Sequence, residues 1–283
     1  MKIIFSKKCF EFEQAGHPES PQRLKRCYEL LKSKDFKFIE PSSCSEEDIL
    51  RVHSAKLLQE VKSGEFYDPD TPAFSNIFEY AALSAGAAIL ASELSIKFGV
   101  SISLMRPPGH HATRDCLGGF CYFNNIAIAV EKMRGEGRRI AIIDFDCHHG
   151  NGTEDIFKGA EDIIYLSLHQ SPLYPGTGLE SDKNCYNFPL AAGTEEAEYL
   201  SVFNNALKIT SDFNPDLIAV SAGFDTYARD PLGGIKLDKT SYRIIGELIA
   251  KLGKPKFCVL EGGYSKDLSI CLFEFLSGIS RSQ

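Results

Sequence analysis

Along the chain, short apolar runs rich in β-branched residues alternate with longer stretches whose apolar positions recur at helical spacing. The short runs fall at residues 2–5, 100–104, 139–145, 162–168, 216–221 and 257–260 and predict six strands. The longer stretches predict helices over 79–98, 124–134, 195–213 and 241–252. Gly99, Gly135 and Gly253 stand just past three of them, where a residue free to adopt a left-handed conformation ends a helix. Strand–helix alternation of this kind predicts an α/β protein with a mainly parallel sheet covered on both faces. No internal repeat, low-complexity tract or long polar linker interrupts the pattern, so a single domain over residues 1–283 is expected.

The polar signals concentrate where the apolar runs stop. RPPGHHATRD follows Leu104, DFDCHHGNGT closes the next run, SLHQSPLYPGTG follows Leu166, SAGFDTYARDPLGG follows Val220 and EGGYS follows Leu260. Five predicted strands thus deliver their unusual residues at the carboxyl end. In an open α/β sheet those ends border one crevice, the usual ligand site.

Composition adds mainly exclusions. A net charge of −7 argues against a broad nucleic-acid surface, and is compatible with a cationic substrate. The nine cysteines include no CxxC pair, which speaks against a disulfide framework and points to a reducing, cytoplasmic compartment with most thiols buried as small hydrophobes. No stretch approaches the ~20 consecutive apolar residues of a membrane span, and the run after Met1 is too short for a signal-peptide core.

Within DFDCHHGNGT, Asp144, Asp146 and His148 share two-residue spacing and so one face of an extended chain. A lone strand-end aspartate is more commonly a turn former or helix cap. Carboxylates gathered at the end of a core strand, however, need a positive partner, because burying an unpaired charge costs several kcal/mol or more. A metal ion held by Asp146 and His148, with Asp225 from a neighbouring strand end, meets that need and leaves a coordination position open for chemistry. His110 and His111 offer either further ligands or a proton-transfer pair, with Asp144 and Asn151 able to fix their tautomers. His149 is expected to support or pack. Tyr264 can donate to an oxyanion or merely cap the core edge. PGTG at 175–178 lacks the ending of a phosphate loop and reads as a turn shaping the crevice rim, and the absence of GxSxG removes local support for a serine hydrolase.

The blocks GHPESPQRL (16–24), RPPGHHA (106–112), GGFCYFNNIAIA (118–129), DFDCHHGNGTEDIF (144–157), SLHQSPLYPGTG (167–178), SAGFDTYARDPLGG (221–234) and LEGGYS (260–265) together resemble the zinc-dependent histone deacetylase superfamily. That superfamily includes acetylpolyamine amidohydrolases and acetoin-utilisation proteins. The resemblance implies an arginase-like three-layer α/β/α fold around a parallel eight-stranded sheet. It also implies zinc bound by Asp146, His148 and Asp225, with His110 and His111 as general acid and base and Tyr264 polarising the carbonyl; the ligand types alone also admit Fe2+. Asp144 would support His110 and share a structural potassium site with oxygens of Asp146, His148, Ser167 and Leu168. Gly119, Phe120 and Tyr174 would line an acyl-lysine tunnel, with Gly262 and Gly263 beside them.

Finer details look like the class II and bacterial branch, where a neutral Asn151 stands in place of the class I aspartate and leaves His111 less inclined to hold a second proton. Tyr264 departs from the branch that carries histidine there, and Tyr227 stands where manganese arginases need an aspartate. The expected reaction is removal of an acetyl group, with release of acetate, from an acetyl-lysine peptide or protein; an acetylated polyamine is the alternative substrate. A non-catalytic acyl-lysine reader and a hydrolase of some other amide are the other readings. Polyamine enzymes of the family tend to carry an acidic residue in an early loop, where Glu65, Asp68 and Asp70 are candidates here. Such enzymes also dimerise over the active site, and the sequence leaves the oligomeric state open.

Overall fold

The computed structural model describes residues 1–280. Its strands are β1 (Lys2–Ile4), β2 (Phe38–Ile39), β3 (Val100–Ser103), β4 (Ile140–Asp144), β5 (Ile163–Gln170), β6 (Cys185–Leu190), β7 (Leu217–Ala222) and β8 (Lys256–Leu260). They form one eight-stranded sheet in the order β2-β1-β3-β8-β7-β4-β5-β6, with every neighbouring pair parallel. All six predicted strands are present with ends shifted by at most two residues. β2 is only two residues long, and β6 carries Pro189 at the sheet edge, so neither shows a continuous apolar run.

Four helices match the helical-period stretches: α4 (Ile77–Phe98), α5 (Asn125–Arg134), α7 (Glu196–Phe213) and α8 (Lys239–Ala250). Five more carry no strong sequence signal: α1 (Pro21–Ser33), α2 (Glu46–Leu50), α3 (Ala55–Ser63), α6 (Asn151–Phe157) and α9 (Leu268–Ile279). Local chemistry sets their ends. Pro21 starts α1 at a position whose N–H no helix could use, the Asn124 side chain caps α5 by accepting from the Ala127 N–H, and Asp238 and Ser241 form a reciprocal capping box on α8. One predicted stop differs: Gly135 stays in right-handed geometry (φ −57°) and the left-handed residue is Gly137 (φ +79°).

The expectation that no segment approaches membrane-spanning length is corrected by α4, which has 22 residues and a mean hydropathy of 1.3 over its most apolar stretch. About two thirds of that stretch is buried in the protein (67%), where its small Ala and Ser faces pack against α5 and the strands β1, β3 and β8. Every residue of β4, β5, β7 and β8 is buried, as a sheet covered on both faces requires. Because the strands are parallel, all their carboxyl ends meet on one side of the molecule. The residues after β3, β4, β7 and β8 converge there.

Candidate active site

A cavity of about 280 Å³ opens on that side. Its walls include His110, His111, Asp146, His148, Gly119, Phe120, Tyr174, Gly262 and Tyr264, nine of the residues singled out from sequence. At its base the ligand-capable atoms of Asp146, His148 and Asp225 lie within 4.8 Å of one another. His148 Nδ1 is 3.0 Å from both Asp146 Oδ1 and Asp225 Oδ2, so a proton on that nitrogen occupies the position between the carboxylates that a cation would take. Burial, and then the charge of Asp146, push the Asp225 carboxyl up to about 7. Two buried carboxylates and one imidazole facing a common point are the donor set of an open zinc or ferrous site, so the residues present fit the implied ion.

The loop geometry around these donors is over-determined. The Asp146 N–H donates to Asp144 Oδ1 at 3.1 Å, the Cys147 N–H to Asp225 Oδ1 at 2.7 Å and the Gly262 N–H to Asp146 Oδ2 at 2.7 Å. Those bonds tie the ends of β4, β7 and β8 together. A Cβ on Gly262 would collide with both Asp146 and Asp225, which explains a residue without a side chain at that point.

The tandem histidines differ in their partners. His110 Nδ1 lies 3.0 Å from Asp144 Oδ2, whereas His111 Nδ1 lies 2.9 Å from Asn151 Oδ1. Burial opposes a charge on either ring. Asp144 and Asp146 overcome it at His110 and raise that imidazole to about 10, while burial and the neighbouring His110 and His148 hold His111 well below its ordinary 6.5. The two adjacent rings are thus pushed in opposite directions, the separation that acid–base chemistry on adjacent groups requires.

Tyr264 is half-buried, and desolvation pushes its phenol well above 10, keeping it a neutral donor. Its N–H donates to Asp230 Oδ2 at 2.6 Å, Phe120 meets its ring edge-on at 5.8 Å and the Arg23 guanidinium stacks 4.7 Å from it. Tyr174, 44% exposed, stands edge-on to His111 at 5.0 Å and forms the outer wall. Gly119 (φ +56°) passes between those two rings, leaving no room for a Cβ beside His111. Phe120 also adopts positive φ (+70°), a strain of about 1–3 kcal/mol for a non-glycine residue, and its N–H is anchored to Thr71 Oγ1 at 3.0 Å.

Several expected residues sit behind the cavity. Asp144, Asn151 and Asp225 act through the bonds above. Ser167 lies opposite Asp144 in the β4–β5 register and its hydroxyl contacts His169 Nδ1 at 2.9 Å, with Leu168 buried next to it. Gly263 is not on the wall; its carbonyl instead accepts from Arg23 Nε at 2.6 Å. PGTG at 175–178 follows the lining residues Leu173 and Tyr174 without lining the cavity itself: Thr177 Oγ1 pairs with His149 Nδ1 at 2.8 Å and Gly178 packs on that ring, whose Nε2 faces Glu154 at 3.0 Å. His149 is therefore a supporting residue, as expected. Of the acidic loop, Asp70 lines the cavity, Asp68 borders Gly118 together with the Tyr174 hydroxyl, and Glu65 lies outside the lining.

Three residues with supporting parts were not singled out. Glu261, fully buried, accepts from the N–H groups of Gly109 (2.8 Å) and His110 (3.2 Å) and from the Ser221 hydroxyl (3.0 Å). Arg23, besides binding Gly263, donates to the Glu261 carbonyl at 2.6 Å and to Glu19 Oε1 at 3.0 Å. Glu19 in turn pairs with Arg106. All three lie inside the recognised blocks, and their only signal was charge at a position that no surface role explains.

Fold and site together define an amide hydrolase with a candidate metal centre. The family model of the histone deacetylase domain matches residues 17–275. A protein of Methanothermobacter thermautotrophicus described as "Probable deacetylase" is 41% identical over 287 positions, covering 94% of this chain and 86% of that one. Acetylpolyamine amidohydrolase 2 of Pseudomonas aeruginosa is 38% identical over 227 positions, which cover 75% of this chain and 65% of its own length. The crystal structure of the HDA15 HD domain superposes with a TM-score of 0.92 at 29% identity, covering 99% of this chain and 90% of that one. The chain belongs to the histone deacetylase family and is a deacetylase that hydrolyses amides.

Proposed function

We propose that the enzyme removes the acetyl group of a small N-acetylated primary amine with zinc held by Asp146, His148 and Asp225; Fe2+ satisfies the same donors. The observation that carries this reading is the buried Asp146–His148–Asp225 donor triad at the base of a cavity also lined by His110, His111 and Tyr264, with Asp144 behind His110 and Asn151 behind His111. A bound divalent ion supplies Lewis acidity, polarising a carbonyl and acidifying water. The neutral His111, oriented by Asn151, accepts the proton of the attacking water. His110, held cationic by Asp144, stabilises negative charge on the substrate and keeps a proton available to the departing amine. Tyr264 donates to the carbonyl oxygen from the opposite wall, and Gly119, Phe120 and Tyr174 confine the acyl chain and exclude bulk water. A potassium ion between Asp144 and Ser167, with oxygens of Asp146, His148 and Leu168, is proposed as structural support, and the cytoplasm as the compartment.

Asp70 on the cavity wall and Asp68 behind Tyr174 favour a substrate with a second cation at the mouth, an acetylated polyamine. They turn the reading from acetyl-lysine protein, the expectation from sequence, towards the small amine. The half-exposed Tyr174 favours a second reading, since an open wall also admits a lysine side chain attached to a peptide. Acetate release by zinc-loaded enzyme, compared as kcat/KM on N-acetylputrescine and on an acetyl-lysine peptide, tests both. A preference for the putrescine substrate that collapses in Asp70→Asn supports the polyamine reading. A preference for the peptide overturns it, and no acetate from either overturns the deacetylase mechanism.

A further inference from the structure

The amino ends of β3 and β8 form the opposite side of the sheet from the active site, about five residues or ~16 Å of strand away. A second cavity, of about 350 Å³, opens there between the ends of α4, α8 and α9. Phe98, Val100, Ala250 and Ile279 supply apolar walls, Lys254 and Lys256 are its charged side chains, and Met1 lies on the same lining. No aspartate or glutamate lines it. Lys256, the first residue of β8, is only 4% exposed. Its backbone N–H donates to the Gly99 carbonyl at 2.9 Å, while its ammonium has no hydrogen bond or ion pair among the described residues.

The Lys256 side chain is enclosed except where its ammonium meets the cavity. A cation drawn largely out of water with no counter-charge beside it favours an anion that replaces the lost water. Burial does hold Lys256 below the ordinary lysine range, and no carboxylate among the described residues acts on it. Lys254 does not relieve the imbalance: its ammonium donates to Asn214 Oδ1 at 2.8 Å, a neutral partner. Lys2 adds a further cation next to the same wall, its Nζ 4.3 Å from the centre of the Phe98 ring. The site therefore combines a nearly enclosed lysine, unpaired among the described residues, with an apolar lining and surrounding positive charge.

We propose that this cavity binds a small organic monocarboxylate, its carboxylate on the Lys256 ammonium and its short apolar chain along Phe98, Val100 and Ile279. The cation selects the charge and the lining selects the tail. An inorganic anion gains only the first contact. The site is distinct from the deacetylase centre and shares no residue with it.

The test is a resonance titration of zinc-loaded enzyme carrying 13C at the lysine ε-carbon, with the Lys256 signal assigned from Lys256→Met. Acetate, butyrate, hexanoate and inorganic phosphate are added at constant ionic strength. The expected result is a saturable shift of the Lys256 signal, with half-saturation falling by about fourfold for each methylene added. Phosphate should bind more weakly than hexanoate. Lys256→Met should retain turnover while losing the hexanoate-dependent rise in melting temperature that the wild-type enzyme shows. A Lys256 signal that moves only in proportion to added salt, as exposed lysines do, would overturn the proposal, since the ammonium then simply reaches water through the cavity mouth. Equal thermal stabilisation of wild type and Lys256→Met would overturn it as well. The titration needs only the wild-type fold once the signal is assigned; Lys256→Arg supplies the assignment if the Met variant does not fold.

Discussion

At the scale of single residues, partner identity decides chemistry. His110 and His111 are adjacent in sequence, yet Asp144 and Asp146 raise one ring while burial and the neighbouring His110 and His148 lower the other, which has only the neutral Asn151 behind it. Tyr264 is set the same way, with burial keeping its proton on. Tyr264→Phe removes the hydroxyl but none of the metal donors. It should lower kcat by on the order of 10²-fold or more at unchanged metal content, read by steady-state kinetics beside elemental analysis.

His53 makes the same point for stability. It is buried, with Nδ1 donating to the Thr113 carbonyl and Nε2 accepting from the Asn124 N–H, both at 2.8 Å, so its neutral tautomer is fixed. Burial lowers it to about 4. The unfolded ring takes a proton near pH 6.5 and the folded ring only near 4. This contribution is therefore complete above pH 6.5 and lost as pH falls through that window, by about 3 kcal/mol in all. Urea unfolding from pH 7 to pH 4 should show a flatter pH dependence in His53→Gln than in wild type.

At the scale of elements, the site is assembled by bonds between strand ends. Glu261, at the end of β8, holds the loop after β3 through the Gly109 and His110 N–H groups and holds β7 through Ser221. Arg23 from α1 clamps the two carbonyls that flank Gly262. Glu261→Ala strips the acceptor from two buried N–H groups and should cost roughly 3 kcal/mol in urea unfolding, with kcat reduced and the metal retained. Glu261→Gln keeps one acceptor oxygen and should lose less on both measures.

At the scale of the whole molecule, three carboxyl ends of one sheet converge on a point where like charges are buried together. Folding brings Asp146 and Asp225 side by side, and a bound cation offsets that repulsion. Removal of the metal by a chelator should therefore lower the melting temperature, and adding back one equivalent of Zn2+ should restore it, since a ligand bound only by the folded state stabilises it. Calorimetric scans of stripped and reloaded protein read this directly. No rise on reloading would remove the triad from consideration as the metal site.

Much of this was legible in the chain. Strands buried on both faces must be continuous apolar runs, so β3, β4, β5, β7 and β8 declared themselves, and the polar blocks at their carboxyl ends marked the crevice. Glycine and capping residues set helix ends to within two positions. The edge strands β2 and β6 did not show, because a strand of two residues or one broken by proline has no periodicity to read. The short α2 and α6 were hidden for the same reason of length. Sequence thus determined the layer architecture, the donor types and the loops that carry them, all of which follow from local patterns of polarity and spacing. Tertiary structure alone decided that Gly263 serves Arg23 and not the cavity wall, that Thr177 supports His149, and that Glu261 and Arg23 hold the site together. It also decided that the Lys256 side chain is enclosed with no counter-charge among the described residues. Each of these depends on which distant segment approaches a given atom, and burial and long-range pairing are properties of the packed chain that no local window contains.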